Sequence, residues 1–275
     1  MEISAETQKA TILAANAKIN LSLAVTGKAP NGYHTIDTVI LPITLSDTVC
    51  VALADTVTVC YTDGRVYPDD VAYKTAKAIC KRFGLSGVAV RIDKRIPEGA
   101  GLGGSSADAA AVVRAIAALT GMQPDDRTLA AIGSDLPAMV RAKPVRVQGV
   151  GDRLGLVEPI DAPVAVAFRG KVDTGAAYAL YDRIGGESGE IDAVLRGEQA
   201  CFNALERAAV ALNPSVGLIR QRMVEAGFAR VVMTGSGSAV VAIGTKGEDF
   251  EGNCIRFRRL SPDIPLTVCR TLVRE

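Results

Sequence analysis

No stretch of the 275-residue chain approaches the ~18 consecutive apolar residues of a membrane-spanning helix, so no membrane association of that kind is expected. An excess of one charge is missing as well. With 31 basic and 30 acidic residues the net charge is +1, which gives no broad attraction to nucleic acid or to an anionic membrane. Arg256, Arg258 and Arg259 form a local basic group that reads as a solvated face. The six cysteines, at positions 50, 60, 80, 201, 254 and 269, never fall in a C-x-x-C pair, which argues against a zinc site or a disulfide framework. They read as reduced, mostly buried thiols of a cytoplasmic protein. Histidine occurs once, as His34. The segment Met1-Glu2-Ile3-Ser4-Ala5-Glu6 lacks the positive start and apolar core of a signal peptide. Neither a low-complexity tract nor an internal repeat is evident. What remains is a chain 48% apolar, able to bury a substantial core in one large domain or two ordinary ones.

Glycine is concentrated in one place. Gly99, Gly101, Gly103 and Gly104 lie in the stretch Pro97-Glu98-Gly99-Ala100-Gly101-Leu102-Gly103-Gly104-Ser105-Ser106-Ala107-Asp108. An alanine-rich run follows, with Val112, Val113, Ile116 and Leu119 at helical spacing. Ser105 is the expected N-cap, with Asp108 completing a shortened capping box, and Gly121 the expected stop. A glycine loop that opens a helix offers unpaired N–H groups and the positive end of the helix dipole, a physical basis for binding phosphate. Gly99, Gly101 and Gly104 also spell G-x-G-x-x-G, but the loop Gly121-Met122-Gln123-Pro124 leads into Asp125 where a dinucleotide fold needs a strand. No Lys follows as G-K-[ST], so this is not a Walker A loop either.

Residues 11–26 read as one or two strands. From Lys18 onward Ile19, Leu21, Leu23 and Val25 alternate with Lys18, Asn20, Ser22 and Ala24, which predicts an apolar face and a polar face shared by Lys18 and Asn20, open to water if one side of the sheet is wet. A loop at 27–32 delivers Tyr33 and His34 to strands at 35–45 and 48–60. A helix is expected at 69–83, stopped by Gly84, a strand at 88–92, and a short helix at 125–132. In Gly133-Ser134-Asp135-Leu136-Pro137 the proline should hold Leu136 extended and leave Asp135 on an irregular turn, where it either braces the turn or does chemistry. A hairpin is expected over 139–154.

Two prolines in residues 157–163 mark a boundary between domains at 1–158 and 159–275. Beyond it, strands are expected at 164–168, 231–234, 240–243 and 264–272, and helices from Asp173 to 184, at 202–212 and at 215–226. Gly235-Ser236-Gly237-Ser238 makes a turn of small residues. The pattern is α+β, with helices packed on one face of an antiparallel sheet.

Three separated stretches then resemble one family. Ala17-Lys18-Ile19-Asn20-Leu21 with Asn31-Gly32-Tyr33-His34 and Asp37-Thr38 resembles the first motif of the 4-diphosphocytidyl-2-C-methyl-D-erythritol kinases, within the GHMP kinase superfamily. Residues 97–111 resemble the superfamily's phosphate loop, and Thr234-Gly235-Ser236-Gly237-Ser238 its third, glycine-rich motif. Gly133 to Pro137, Gly149-Val150-Gly151-Asp152 and Asn203-Ala204-Leu205-Glu206 follow in the family's order.

The resemblance implies the α+β GHMP kinase fold, with an N-terminal domain like the second domain of ribosomal protein S5 and a ferredoxin-like C-terminal domain. It implies transfer of the γ-phosphate of ATP, with Mg²⁺, to the 2-hydroxyl of a cytidine diphosphate-linked methylerythritol. Lys18 and Asp135 then match the catalytic lysine and base, and residues 97–107 the ATP loop, with Ser106 a candidate Mg²⁺ ligand. Asn20, Tyr33, His34, Thr174 and Tyr178 match the substrate pocket, with Tyr33 and Tyr178 sandwiching the cytosine and His34 bonding its edge. Gly235, Ser236 and Gly237 match the third motif. No nucleic acid or membrane partner is implied, and a monomer or weak homodimer is expected. Departures are Asn16 for Pro, Ser105 for a third Gly, Asp70 for Asn and Ala239 for Thr. Another GHMP kinase, such as homoserine kinase, and a catalytically silent nucleotide-binding homologue are the competing readings.

Overall fold

The computed structural model describes residues 10–133 and 135–273; Met1 to Glu6 and Ser134 of the segments above lie outside them. The chain runs β1 (Ala10–Lys28), β2 (His34–Ala54), β3 (Thr58–Tyr61), α1 (Val71–Phe83), β4 (Gly87–Asp93), α2 (Gly104–Thr120), α3 (Asp126–Ile132), α4 (Leu136–Arg141), β5 (Val145–Gly149) and β6 (Arg153–Leu156). It continues with β7 (Pro163–Ala167), α5 (Thr174–Ile184), α6 (Ile191–Leu195), α7 (Glu206–Leu212), α8 (Ser215–Glu225), β8 (Val231–Met233), β9 (Val240–Ile243), α9 (Phe250–Leu260) and β10 (Leu266–Arg270). Two compact units interleave along the sequence. The first takes Ser46–Ile96, Gly104–Arg141 and the described part of Met1–Asn16; the second takes Ala17–Leu45, Pro97–Gly103 and the chain from Ala142 onward.

In the first unit β4 pairs antiparallel with the second part of β2, Val51 opposite Val90, and parallel with β3. Helix α1 is bounded as its sequence dictates: Asp70 caps it by accepting from Tyr73 N, and Gly84 ends it at φ +68°. Helix α2 begins at Gly104, so Ser105 lies inside the helix rather than capping it. Its alanines and valines from Ala107 to Val113 are buried, and it packs against α1 and α4. Small side chains around most of a helix let neighbours approach on several sides, which is why α2 is apolar nearly all round.

One polar cluster is buried there. Lys94 Nζ bridges Asp47 and Asp108, 2.6 Å from Asp108 Oδ2, and all three side chains are at most 6% exposed. Asp47 also accepts from the backbone N–H groups of Arg95 and Ile96. Burial would lower the Lys94 pKa, but the two carboxylates outweigh it and raise it. Burial first, and the neighbouring Asp47, push the Asp108 carboxyl up to about 7 against the opposing pull of Lys94. Among the described residues Asp108 Oδ1 has no hydrogen-bond partner.

In the second unit the first part of β2 pairs with β5, Thr38 opposite Val147, and β5 turns into β6. The expected hairpin at 139–154 therefore begins only at Val145, because 136–141 are helical. After Ala162 a separate antiparallel sheet has the order β10-β7-β9-β8. Its core joins Ala165, Ala167, Val240 and Ala242 of the sheet to Val216, Ile219 and Met223 of α8 and Phe257 of α9. Helix α7 starts at Glu206, four residues later than Phe202, since Phe202 and Ala204 exchange backbone hydrogen bonds with Leu23 of β1.

The buried cluster yields two expectations. Lys94→Met leaves two carboxylates buried together and should cost about 3–5 kcal/mol, seen as a lowered urea midpoint at pH 7. Asp108 holds its proton in the folded protein and not in the unfolded chain between about pH 4 and 7. Its contribution to stability is therefore present at the acid end of that window and lost as pH rises through it. Asp108→Asn should flatten the pH dependence there; an unchanged slope would remove Asp108 as its source.

Candidate active site

Strand β1 carries Lys18 and Asn20 on one face as expected, but that face is not wet. Lys18 is 7%, Asn20 3% and Ser22 1% exposed, as covered as their apolar neighbours. Alternation reports polarity, and here the polar face is buried against other polar groups, so its hydrogen bonds must be met internally. Lys18 Nζ donates to Asn20 Oδ1 at 2.7 Å, and Gly235 N donates to the same oxygen at 2.9 Å. Asn20 Nδ2 donates to Thr38 Oγ1 at 2.8 Å, and Thr38 in turn donates to Ser22 O. The backbone N of Asn20 donates to Thr234 Oγ1 at 3.0 Å.

The glycine loop is tied to the same network. Lys18 N donates to Leu102 O, and Ala239 N donates to Ala100 O, both at 3.0 Å. Gly101 has φ +79°, and a Cβ there would lie 2.3 Å from Thr234 O. A Cβ on Gly235 would lie 2.7 Å from Gly101 O and 3.2 Å from Lys18 Nζ. Gly101 thus makes room for the backbone of Thr234 and Gly237, and Gly235 makes room for the backbone of Gly101 and for the lysine. Asn203, fully buried, locks the turn from behind by donating from Nδ2 to Met233 O and Gly235 O. Residues 18–20, 99–103 and 234–239 are therefore one hydrogen-bonded piece. Ser236 Oγ lies 2.8 Å from Thr174 Oγ1 at the start of α5, where Asp173 caps the helix. At the other end of the loop Glu98 is 3.8 Å from Lys171 Nζ, a distant and solvated pair.

A second group of side chains in this unit is aromatic. His34 stacks on Tyr178, with centroids 4.6 Å apart and planes at 25°, and meets Tyr181 edge-on. His34 Nε2 is 2.7 Å from Asp182 Oδ1, and Lys28 Nζ is 2.6 Å from Asp182 Oδ2. The hydrogen bond from Lys28, then that from His34, hold the Asp182 carboxyl below the usual carboxylate range. Tyr33 is 71% exposed and its backbone N donates to Asn31 Oδ1. The ring that lies against Tyr178 is thus His34.

The first unit holds the remaining sequence-derived residues. Asp135 is exposed on the turn before α4, and its carbonyl accepts from Met139 N. Leu136 is helical rather than extended, because Pro137 sits in the first turn, where its missing N–H costs no helical bond. In the first turn of α2 Ser105 is exposed, Ser106 half-buried and Ala107 buried. Asp108, expected to complete a capping box with Ser105, instead pairs with Lys94. Among the described residues no group of three or more His, Cys, Asp or Glu side chains could hold a metal ion. No sequence motif gives Thr38, Asn203 or Asp182 an individual role. A polar residue in an apolar run, as Asn203 is in Phe202 to Leu205, was the available signal for one of them.

Residues 70–144 match the family described as GHMP kinases N terminal domain. Across 94% of the chain, identity is 33% with the 4-diphosphocytidyl-2-C-methyl-D-erythritol kinase of Moorella thermoacetica, 98% of which is covered. The protein of that name from Thermus thermophilus is 36% identical over 82% of this chain and 84% of its own. A crystal structure of 4-(cytidine 5'-diphospho)-2C-methyl-D-erythritol kinase superposes with a TM-score of 0.80 at 31% identity, over 95% of this chain and 99% of that one. Similarity at this level over essentially whole lengths means that the chain belongs to the 4-diphosphocytidyl-2-C-methyl-D-erythritol kinase family and has the α+β fold of the GHMP kinases.

Proposed function

We propose that this protein transfers the γ-phosphate of ATP to the 2-hydroxyl of 4-diphosphocytidyl-2-C-methyl-D-erythritol, a step of non-mevalonate isoprenoid precursor biosynthesis. The observation that carries this reading is the bonding of Lys18, Asn20, the glycine loop and the third glycine motif into one piece. Phosphoryl transfer asks a protein chiefly for positioning and charge stabilisation. The backbone N–H groups of residues 97–107 hold the ATP phosphates, helped by the positive end of α2. Asn20 and Gly235 aim the Lys18 ammonium, which offsets negative charge as it develops on the attacking oxygen and the transferred group.

Asp135 acts as base. It takes the proton of the 2-hydroxyl while that oxygen bonds the γ-phosphorus and the bond from the γ-phosphorus to the bridging oxygen breaks, leaving ADP. Its exposed position on a turn suits a group that must meet substrate. Mg²⁺ bound with the nucleotide would find the Ser106 hydroxyl as a ligand from this chain and would supply charge neutralisation there. Tyr33, His34, Thr174 and Tyr178 take the cytosine end of the substrate, and the stacked pair of His34 and Tyr178 supports a flat ligand in that place. This reading keeps a functional division at 1–158 and 159–275, supported by a second sheet built wholly from residues after 162. It also places the protein in the cytoplasm as a monomer or weak homodimer without a nucleic acid partner.

Asp135→Asn should lower kcat by about 10²–10⁴-fold while leaving ATP affinity nearly unchanged. Steady-state kinetics with nucleotide titration would test this, and full activity in the variant would remove Asp135 as base. In a panel assayed with labelled ATP, the diphosphocytidyl substrate should be phosphorylated and homoserine and mevalonate should not. Equal turnover of homoserine would overturn the assignment.

A further inference from the structure

Asp182, on the exposed side of α5, belongs to none of the motifs that carry the functional reading. Both of its oxygens are engaged, Oδ1 with His34 Nε2 at 2.7 Å and Oδ2 with Lys28 Nζ at 2.6 Å. A carboxylate only accepts hydrogen bonds, so the imidazole hydrogen must sit on Nε2. In the neutral ring Nδ1 is then a bare lone pair. The His34 side chain is 13% exposed, and its ring lies at 25° to that of Tyr178. A base bonded to Nδ1 in the imidazole plane therefore lies nearly parallel to the Tyr178 ring, an orientation that stacking favours. An acceptor at that position pairs with the 4-amino group of cytosine and opposes the 4-oxo group of uracil.

We infer that Asp182 is a positioning residue that determines base specificity: by holding the hydrogen on His34 Nε2 it presents Nδ1 as an acceptor that selects cytosine over uracil. The inference rests on the reading of this site as the binder of a cytidine diphosphate-linked substrate. Lys28 completes the device. In Asp182→Asn the lysine, which can only donate, claims the amide oxygen and turns the amide NH₂ toward Nε2. The imidazole hydrogen then moves to Nδ1, and the atom facing the base changes from acceptor to donor.

The test compares kcat/KM for the cytidine and uridine diphosphate derivatives of methylerythritol in the wild type and in Asp182→Asn. The cytidine-to-uridine ratio should fall at least about tenfold in the variant, mostly through KM. Asp182→Glu, which restores an acceptor-only group, should recover most of the ratio. A merely structural role would depress both substrates alike, and an unchanged ratio overturns the inference. A wild type that uses neither derivative overturns the functional reading itself, and the inference with it. Because His34 is the only histidine in the chain, ¹⁵N shifts of the imidazole in untagged wild-type protein report its tautomer directly. The Nε2–H form is expected in the neutral ring; an Nδ1–H form overturns the inference whether or not the variants fold.

Discussion

A single amide oxygen, Asn20 Oδ1, receives both the ammonium of Lys18 and the backbone N–H of Gly235. Lys18 of β1 and the turn at Gly235 are joined through this sharing. An aspartate at the same place would hold the lysine equally well, but it would bring a negative charge with it and would have no donor for Thr38. The amide fixes the ammonium while contributing no charge of its own, and its Nδ2 anchors it to β2. Gly101 can lie against Gly235 only because Gly235 has no side chain, and Thr234 and Gly237 in turn need Gly101 to be bare. Replacing any one of these leaves another buried polar group without its partner, which is why the cost of a change is not confined to the residue changed.

The first unit solves a different problem with the opposite chemistry. Lys94 is there held by two carboxylates rather than by a neutral amide. Asp47 spends its other oxygen on the N–H groups of Arg95 and Ile96, the last residues before the glycine loop, and Asp108 lies in the second turn of the helix that follows it. The cluster thus braces the chain on both sides of the loop in sequence. Buried ion pairs of this kind add little net stability but are expensive to break, so they favour one arrangement over its alternatives more than they stabilise the fold.

Short-range signals were the most legible in the sequence. Gly84 ends α1, and the helix expected from Asp173 starts at Thr174 with Asp173 as its cap, because each rule needs only a few neighbouring residues. The misses have equally local causes. Helix α9 contains Gly252 and Asn253, poor helix formers that masked its periodicity, and the five residues of α6 are too few to display one. The reading of Ser105 as a cap assumed that a glycine would stay outside the helix, whereas Gly104 is its first residue. Long-range pairings were hidden for another reason. Lys18 and Asn20 could be found from their spacing and motif, but nothing near Asp182 in sequence announces a partner 148 positions away. A polar residue on the exposed side of a helix is by default solvated, and only the fold shows that its carboxylate faces a histidine.

Burial separates the two parts of the candidate site in a way that bears on what each can tolerate. Lys18, Asn20 and Asn203 are at most 7% exposed and hold backbone as well as side chains, so their substitution disturbs the fold and the chemistry together. Tyr33 is 71% exposed, and Lys28 and Asp182 are partly solvated, so changes there leave the core untouched. An exposed ion pair contributes little to stability, screened as it is by water. Its geometry can still decide which of two ring nitrogens carries a hydrogen, because an acceptor facing one nitrogen favours the tautomer that donates from it. Selectivity for a base can therefore be encoded at the surface of α5 at almost no cost in stability, while the machinery around Lys18 stays buried and inflexible.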